Sequence, residues 1–296
     1  MGDRIGIVGV GLMGSAFSQH LVAQGFEVCG FDIDSARMAQ LRARGCIPVT
    51  SPAAAAENAR WVLTSLPTSD IVREVVLGRD GIAQGAAPGS IVVDASTSRP
   101  QDSERLGAEL AQRGFGFLDA AVSGTSAMAW KKDLIVIAGG TLEQFEACKP
   151  VFDAIARAAY RMGPVGTGAM TKLVINLVLF GNRLALAEGL VLGMKAGMTG
   201  ESLLAVLQDA ACSSKTMIDK GPKMLAGDYA PEGQVKISLK DGRLALEQAL
   251  RVGAPMFVGS LWTQLQQAGY EQGMGELDSV AFIEILRQLA GLPKRI

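Results

Sequence analysis

The chain has 296 residues, 49% of them hydrophobic and 19% charged, which is enough apolar material for a sizeable core and enough length for two domains. A formal net charge of -1, with no run of Lys or Arg, offers no field to hold a phosphate backbone and argues against nucleic acid as a partner. No His, Cys or carboxylate cluster has ligand spacing, so no metal is expected.

Met1 to Gly6 lacks the charged and apolar regions of a leader peptide, because its apolar part is a short strand running into glycines. Gly2 is followed by Gly6 where a myristoylation signal wants Ser or Thr. In chain order, Ile5 to Val10, Val28 to Phe31, Trp61 to Ser65, Ile91 to Asp94, Gly116 to Asp119 and Leu134 to Ala138 read as strands. Amphipathic stretches such as Ala16 to Gln24 and Ala36 to Arg44 lie between them, closed by Gly25 and Gly45. Strand then helix, repeated, predicts a parallel sheet, and continuous apolar runs predict strands covered on both faces.

After Gly163-Pro164-Val165-Gly166 the strand runs vanish and helical spacing continues almost to the end, which places a domain boundary near Pro164. Turn signals at Gly197, Gly221-Pro222, Gly227 to Gly233 and Gly273 to Gly275 would separate about five or six helices. The stretch from Ala169 to about Ala196 is apolar almost all round and should be buried on most sides, under neighbouring helices or against another subunit. Lys172, Arg183, Glu188 and Lys195 interrupt it, which argues against a membrane span. Cys29, Cys46, Cys148 and Cys212 are far apart and without a C-x-x-C pair, and read as reduced core thiols of a cytoplasmic protein.

Gly9-Val10-Gly11-Leu12-Met13-Gly14 is a G-x-G-x-x-G that follows a strand and opens a helix, and Asp32 closes the second strand 18 residues after Gly14. In that context the glycines supply a tight turn, close approach of backbone to a pyrophosphate, and close packing of helix on strand. Asp32 would hold the ribose hydroxyls and repel a 2′-phosphate, with Asp34 as a second acid before Arg37, so NAD is expected in preference to NADP. The fold class is therefore α/β: a Rossmann-type doubly wound parallel sheet over residues 1-164, then an all-α domain over 165-296 for substrate and dimerisation.

Hydride transfer at a nicotinamide requires a group that takes the hydroxyl proton of the alcohol. His20, the only histidine, lies on the first helix and several turns away from such chemistry. Lys172 begins the apolar helix at Thr171-Lys172-Leu173-Val174-Ile175-Asn176, where burial would disfavour its charged form. Asn176 is one turn on, along the same face. From spacing alone, a lysine snorkelling at a helix start and an asparagine capping a neighbouring backbone group explain the pair as well.

Asp94-Ala95-Ser96-Thr97-Ser98-Arg99-Pro100, Asp119-Ala120-Ala121-Val122-Ser123-Gly124, Gly163 to Gly168 with Lys172 and Asn176, and Lys240-Asp241 follow one another in this order. This succession resembles the β-hydroxyacid dehydrogenase family, which includes 3-hydroxyisobutyrate, tartronate semialdehyde, sulfolactaldehyde and succinic semialdehyde enzymes. The resemblance implies that Lys172 is the general acid/base, that Asn176 positions it, and that Ser123 and Gly124 bind the substrate carboxylate or sulfonate. It further implies that Thr97 faces the nicotinamide, that Leu66 and Pro67 line the adenosine side, and that Lys240 reaches nicotinamide and substrate. Separately from the resemblance, the apolar stretch from Ala169 to about Ala196 leads to the expectation of a homodimer or homotetramer.

Relatives usually carry Ser-Gly-Gly where this chain has Ser123-Gly124-Thr125, and Gly-Thr where it has Lys132-Asp133. Thr125 adds a hydroxyl and bulk next to the carboxylate site, and a Thr-Ser-Ala run here is shared with sulfolactaldehyde reductases. The first of the family's paired asparagines is Ile175. Tyr229 and Asp241 are candidates to shape the pocket. Two other readings stand beside the dehydrogenase: an imine reductase, which generally has Asp or Tyr at the position of Lys172, and a non-catalytic nucleotide-binding protein of the same fold.

Overall fold

The computed structural model describes residues 3–296, so that Gly2 lies outside the described residues. By the density of its contacts the chain divides into a unit ending at Lys172 and a second unit, Leu173–Ile296.

The first unit runs β1 (Arg4–Val8), α1 (Leu12–Ala23), β2 (Glu27–Phe31), α2 (Ser35–Ala43), β3 (Ile47–Pro48), α3 (Pro52–Ala56), β4 (Trp61–Thr64), α4 (Ser69–Leu77), α5 (Ile82–Gly85) and β5 (Ile91–Asp94). It continues with α6 (Pro100–Gln112), β6 (Gly116–Ser123), α7 (Ser126–Trp130), β7 (Ile135–Gly139), α8 (Leu142–Ala147), α9 (Lys149–Ile155) and β8 (Ala158–Gly163). The strands form one sheet in the order β3-β2-β1-β4-β5-β6-β7-β8. Ile5, Ile7, Val28, Trp61, Leu63, Val93 and Leu118 are buried in it, as continuous apolar runs covered on both faces must be. Helix starts are fixed by side chains that accept the first free N–H groups: Asp34 for α2, Ser51 ahead of Pro52 for α3, Thr68 for α4 and Thr141 for α8.

The sheet is parallel except at one pair: β6 and β7 run antiparallel, with Ser123 opposite Ile135. The parallel sheet expected from alternating strands and helices is present, with this one antiparallel pair as its exception. A parallel return needs a crossover of a dozen or more residues, and the connection from Ser123 to Ile135 holds only the short helix α7.

The helical region comprises α10 (Thr167–Lys195), α11 (Gly200–Asp209), α12 (Lys215–Ala226), α13 (Val235–Val252), α14 (Phe257–Gly269) and α15 (Ile283–Leu289), with α10 beginning in the first unit. In the second unit Trp262 stacks on Phe180 at 4.6 Å and meets Phe282 edge-on at 5.0 Å. Each fully buried apolar side chain of this kind contributes about 1.5–3 kcal/mol. The turn expected at Gly221-Pro222 is absent, because α12 runs through it with Pro222 in its interior. A side chain at Gly221 would collide with Leu204 of α11, so the glycine serves close helix packing, and burial of Met217, Met224 and Leu225 outweighs the hydrogen bond that Pro222 lacks.

Two further expectations change. Cys29, Cys46 and Cys148 are buried, whereas Cys212 is exposed and so is not a core thiol. Helix α10 is long and apolar enough to cross a membrane by length and composition alone, and its Phe180, Leu184, Leu186, Ala187, Leu190 and Val191 belong to the core of the second unit. It is not buried on most sides within the chain: Val174, Val178 and Leu192 are exposed.

Candidate active site

The glycine loop sits at the carboxyl end of β1, beside the point where the strand order reverses between β1 and β4. Gly9 has φ +88°, and a Cβ there would meet Ser65 O at 2.4 Å, while one at Gly14 would meet Gly9 O at 2.0 Å. The loop therefore presses against β4 and its own helix so closely that no side chain fits. A Cβ on Gly11 would find nothing nearer than Arg37 Nη1 at 3.7 Å, so the middle glycine leaves open space above the start of α1. No side chain caps that helix start. Free N–H groups at the N-terminus of a 12-residue helix beside an open glycine suit a pyrophosphate, and the residues present fit a dinucleotide.

Asp32 is buried at the end of β2. Its Oδ2 accepts from Val10 N at 2.8 Å and its Oδ1 from Asp34 N at 2.9 Å, with Arg37 Nη1 3.4 Å from Oδ2. The carboxylate is thus tied to the glycine loop, and Arg37 is shared between Asp32 and Asp34.

Leu66 and Pro67 follow β4, and Thr97 follows β5, at the carboxyl ends of consecutive strands beside β1. Leu66 abuts Gly9, and Leu66 N donates to Ser96 Oγ at 2.9 Å. The Ser96 to Ser98 turn is organised by Asp94, which accepts from Thr64 Oγ1 at 2.8 Å, Ser96 N at 3.0 Å and Ser98 Oγ at 3.1 Å. Burial pushes the Asp94 carboxyl above the usual carboxylate range, against the pull of those donors. Chain order hides this role, because Asp94 reads as the last residue of an apolar strand.

Asp94 faces Asp119 in the parallel register of β5 and β6, and β6 continues four residues further to Ser123. At about 3.3 Å per residue, Ser123 stands roughly 13 Å beyond that pair, past the end of β5. Gly124 follows with φ +152°, a conformation suited to glycine, and a Cβ there would collide with Leu134. Thr125 Oγ1 accepts from Met128 N at 3.3 Å and caps α7. Helix α7 is fastened to α1, where His20 Nε2 meets Ala129 O at 2.9 Å. Lys132 has φ +58°, a conformation that glycine adopts more readily, and Asp133 pairs with Arg157 at 3.1 Å.

Asp119 is the residue that sequence reasoning missed. Its Oδ1 accepts from Gly166 N at 2.9 Å and its Oδ2 from Ala169 N at 2.7 Å, so a strand side chain caps the start of α10. Burial raises its carboxyl to about 6, opposed by the two backbone N–H groups and assisted by the charge of Asp94. Lys172 is half-buried, three residues beyond Ala169. The first unit thus holds the glycine loop, Asp32, Leu66, Pro67, Thr97, Ser123, Gly124, Thr125 and Lys172. In the second unit Asn176 donates through Nδ2 to Asp241 Oδ2 at 3.0 Å, and Lys240 Nζ is 3.1 Å from Asp241 Oδ1.

Residues 4–171 match the family described as the NAD binding domain of 6-phosphogluconate dehydrogenase, and residues 166–286 match the NAD-binding domain of NADP-dependent 3-hydroxyisobutyrate dehydrogenase. The chain is 30% identical over 293 residues to 3-sulfolactaldehyde reductase of Escherichia coli, covering 99% of this chain and 98% of the relative. It belongs to the β-hydroxyacid dehydrogenase family. Another member, 2-(hydroxymethyl)glutarate dehydrogenase of Eubacterium barkeri, is 31% identical over 290 residues, covering 98% and 96%. The crystal structure of 3-hydroxyisobutyrate dehydrogenase from Salmonella typhimurium superimposes with a TM-score of 0.88 at 29% identity, covering 96% of this chain and 99% of that one. As a β-hydroxyacid dehydrogenase the protein is an NAD(P)-dependent oxidoreductase.

Proposed function

We propose that the protein interconverts a small β-hydroxy acid and its semialdehyde with NAD, using Lys172 as general acid/base. The observation that carries this proposal is the position of Lys172 on the second turn of α10, a helix whose first turn is bonded through Asp119 to the strand that ends in Ser123. NAD, when bound, supplies the hydride acceptor. During oxidation a neutral Lys172 amine takes the proton of the substrate hydroxyl as that carbon loses its hydride; during reduction the ammonium returns a proton to the carbonyl oxygen.

Asn176 positions the lysine. Its Nδ2 is committed to Asp241, which leaves the amide oxygen to accept from a donor one turn back on α10. Ser123, Gly124 and Thr125 bind the carboxylate or sulfonate of the substrate through hydroxyl and backbone donors in a turn after a strand. Lys240 is a further candidate for substrate and nicotinamide, and its ammonium is held 3.1 Å from Asp241 Oδ1. Preference for NAD over NADP rests on Asp32, whose carboxylate, fixed by Val10 N, repels a 2′-phosphate. The helical region, 165-296, is proposed to serve substrate binding and dimerisation, with its first residues, up to Lys172, packed in the first unit. Homo-oligomerisation is supported by exposed Val174 and Val178 on α10 and exposed Phe257, Val258 and Leu261 on α14, two helices in contact where Gly181 meets Val258. A cytoplasmic location is part of the same proposal, supported by four cysteines that are all free.

The test is a spectrophotometric screen of 3-sulfolactaldehyde, succinic semialdehyde, 3-hydroxyisobutyrate, 2-(hydroxymethyl)glutarate and L-threonate with NAD(H) and NADP(H). Turnover of at least one compound with NAD(H), lost in Lys172→Ala, supports the proposal; wild-type turnover in Lys172→Ala refutes it.

A further inference from the structure

Asp119 stands at a junction of three parts. It lies on β6 four residues before Ser123, it is the in-register neighbour of Asp94 on β5, and both its oxygens are taken by backbone N–H groups at the start of α10. Gly166 and Ala169, the donors, are 47 and 50 residues away in sequence, so the contact is a tertiary clamp. The approach is close: a Cβ on Gly168 would meet Asp119 O at 2.2 Å, and one on Gly139 would meet Asp119 Oδ1 at 2.4 Å. Small residues at both places let the helix start, β7 and the carboxylate converge.

Resting on the assignment of Lys172 as proton carrier, we propose that Asp119 is a positioning residue for the reaction: as a carboxylate it locks the first turn of the Lys172 helix onto the Ser123 strand. An anion suits this place twice over, since it accepts two N–H groups and sits at the positive end of a 29-residue helix. Protonation converts one of its two acceptor oxygens into a hydroxyl donor facing an N–H. One bond is then lost, and the first turn of α10 is released. A displacement of about 1 Å in a catalytic group lowers turnover by up to about 100-fold, so the clamp is felt at the lysine nitrogen although Asp119 touches no substrate.

Charged groups on the elements around the clamp are Asp94 on β5, Glu104 on α6, whose carboxylate lies against Gly166, and Arg161 on β8, whose Nε is engaged by Gly140 O. Asp94 is the group that raises the Asp119 carboxyl by charge, in addition to burial, and the clamp is expected to open near pH 6.

The experiment compares wild type, Asp119→Asn, Asp94→Asn and Lys172→Ala, with NADH and 3-sulfolactaldehyde, or succinic semialdehyde if the screen ranks it first. Measured are kcat, KM, NADH affinity by fluorescence and the pH profile of kcat. Asp119→Asn is expected to lower kcat about 10-fold or more with NADH affinity within about threefold, and to abolish the acid limb that wild type shows near pH 6. Asp94→Asn is expected to move that limb to lower pH. Wild-type kcat in Asp119→Asn, or an acid limb unchanged in it, overturns the proposal. If Asp119→Asn does not fold, the Asp94→Asn profile decides: a downward shift supports the clamp and an unmoved midpoint overturns it. Wild-type turnover in Lys172→Ala overturns the lysine assignment itself, whereas an inactive Lys172→Ala beside a wild-type-like Asp119→Asn overturns only the clamp.

Discussion

The amide nitrogen of Asn176 lies 3.0 Å from Asp241 Oδ2, and both side chains are buried. This single bond fixes which end of the amide is free to accept, and it links two residues 65 positions apart. Asp241→Asn weakens the hold and lets the Asn176 amide turn over. Steady-state kinetics are expected to show kcat lowered about 10-fold with KM changed less than about threefold. An unchanged kcat would mean that the amide orientation has no part in turnover.

Asp32→Ala removes the carboxylate that repels a 2′-phosphate and frees Arg37 from its 3.4 Å contact with it. The ratio of kcat/KM for NADPH over NADH should rise by about 10-fold or more. A ratio that stays constant would remove Asp32 from cofactor choice.

Lys132 occupies the left-handed region at φ +58°, which costs an L-residue about 1–2 kcal/mol, partly offset by the extra chain entropy glycine loses on folding. Lys132→Gly should therefore stabilise the protein by about 0.5–1 kcal/mol in denaturant unfolding. Destabilisation would show that the lysine side chain contributes more than its backbone strain removes.

Asp119 also makes a prediction about stability against pH. Its folded carboxyl titrates at about 6, above the ordinary range near 4, so the folded state binds a proton where the unfolded state does not. Its contribution is fully present below about pH 4 and is lost as pH rises through 6, an effect on the order of 3 kcal/mol. Asp94, raised by burial, acts with the same sign. Between pH 6 and pH 5 activity should fall while Asp119 adds stability, so unfolding midpoints in urea should not drop in step with the rate. A parallel loss of both would point to unfolding as the cause of the acid limb.

Strands β1, β2, β4 and β5 were legible because buried parallel strands are continuous apolar runs with few alternatives. β8 was not: Tyr160 and Met162 are exposed on it, so the run Ala158-Ala159-Tyr160-Arg161-Met162 carries no core pattern. β6 extends past Asp119 through small residues, Ala120 and Ala121, that have weak strand preference. The glycine loop and Asp32 could be found because their spacing is local and tied to one turn. Asp94, Asp119 and Asp241 could be quoted as parts of motifs, but their partners are fixed by tertiary structure, and for Asp119 and Asp241 those partners lie 47 to 65 residues away. Lys132 could not be anticipated as a left-handed residue because lysine, unlike glycine or asparagine, has no preference for that conformation.

The most direct test of the central claim is the single-turnover rate of Lys172→Ala with saturating NADH and the best aldehyde of the screen, beside its NADH affinity. Loss of a positioned proton donor should slow NADH oxidation by about 10²–10⁴-fold while NADH affinity stays within about threefold of wild type. A wild-type rate, with NADH bound as tightly as before, would contradict it.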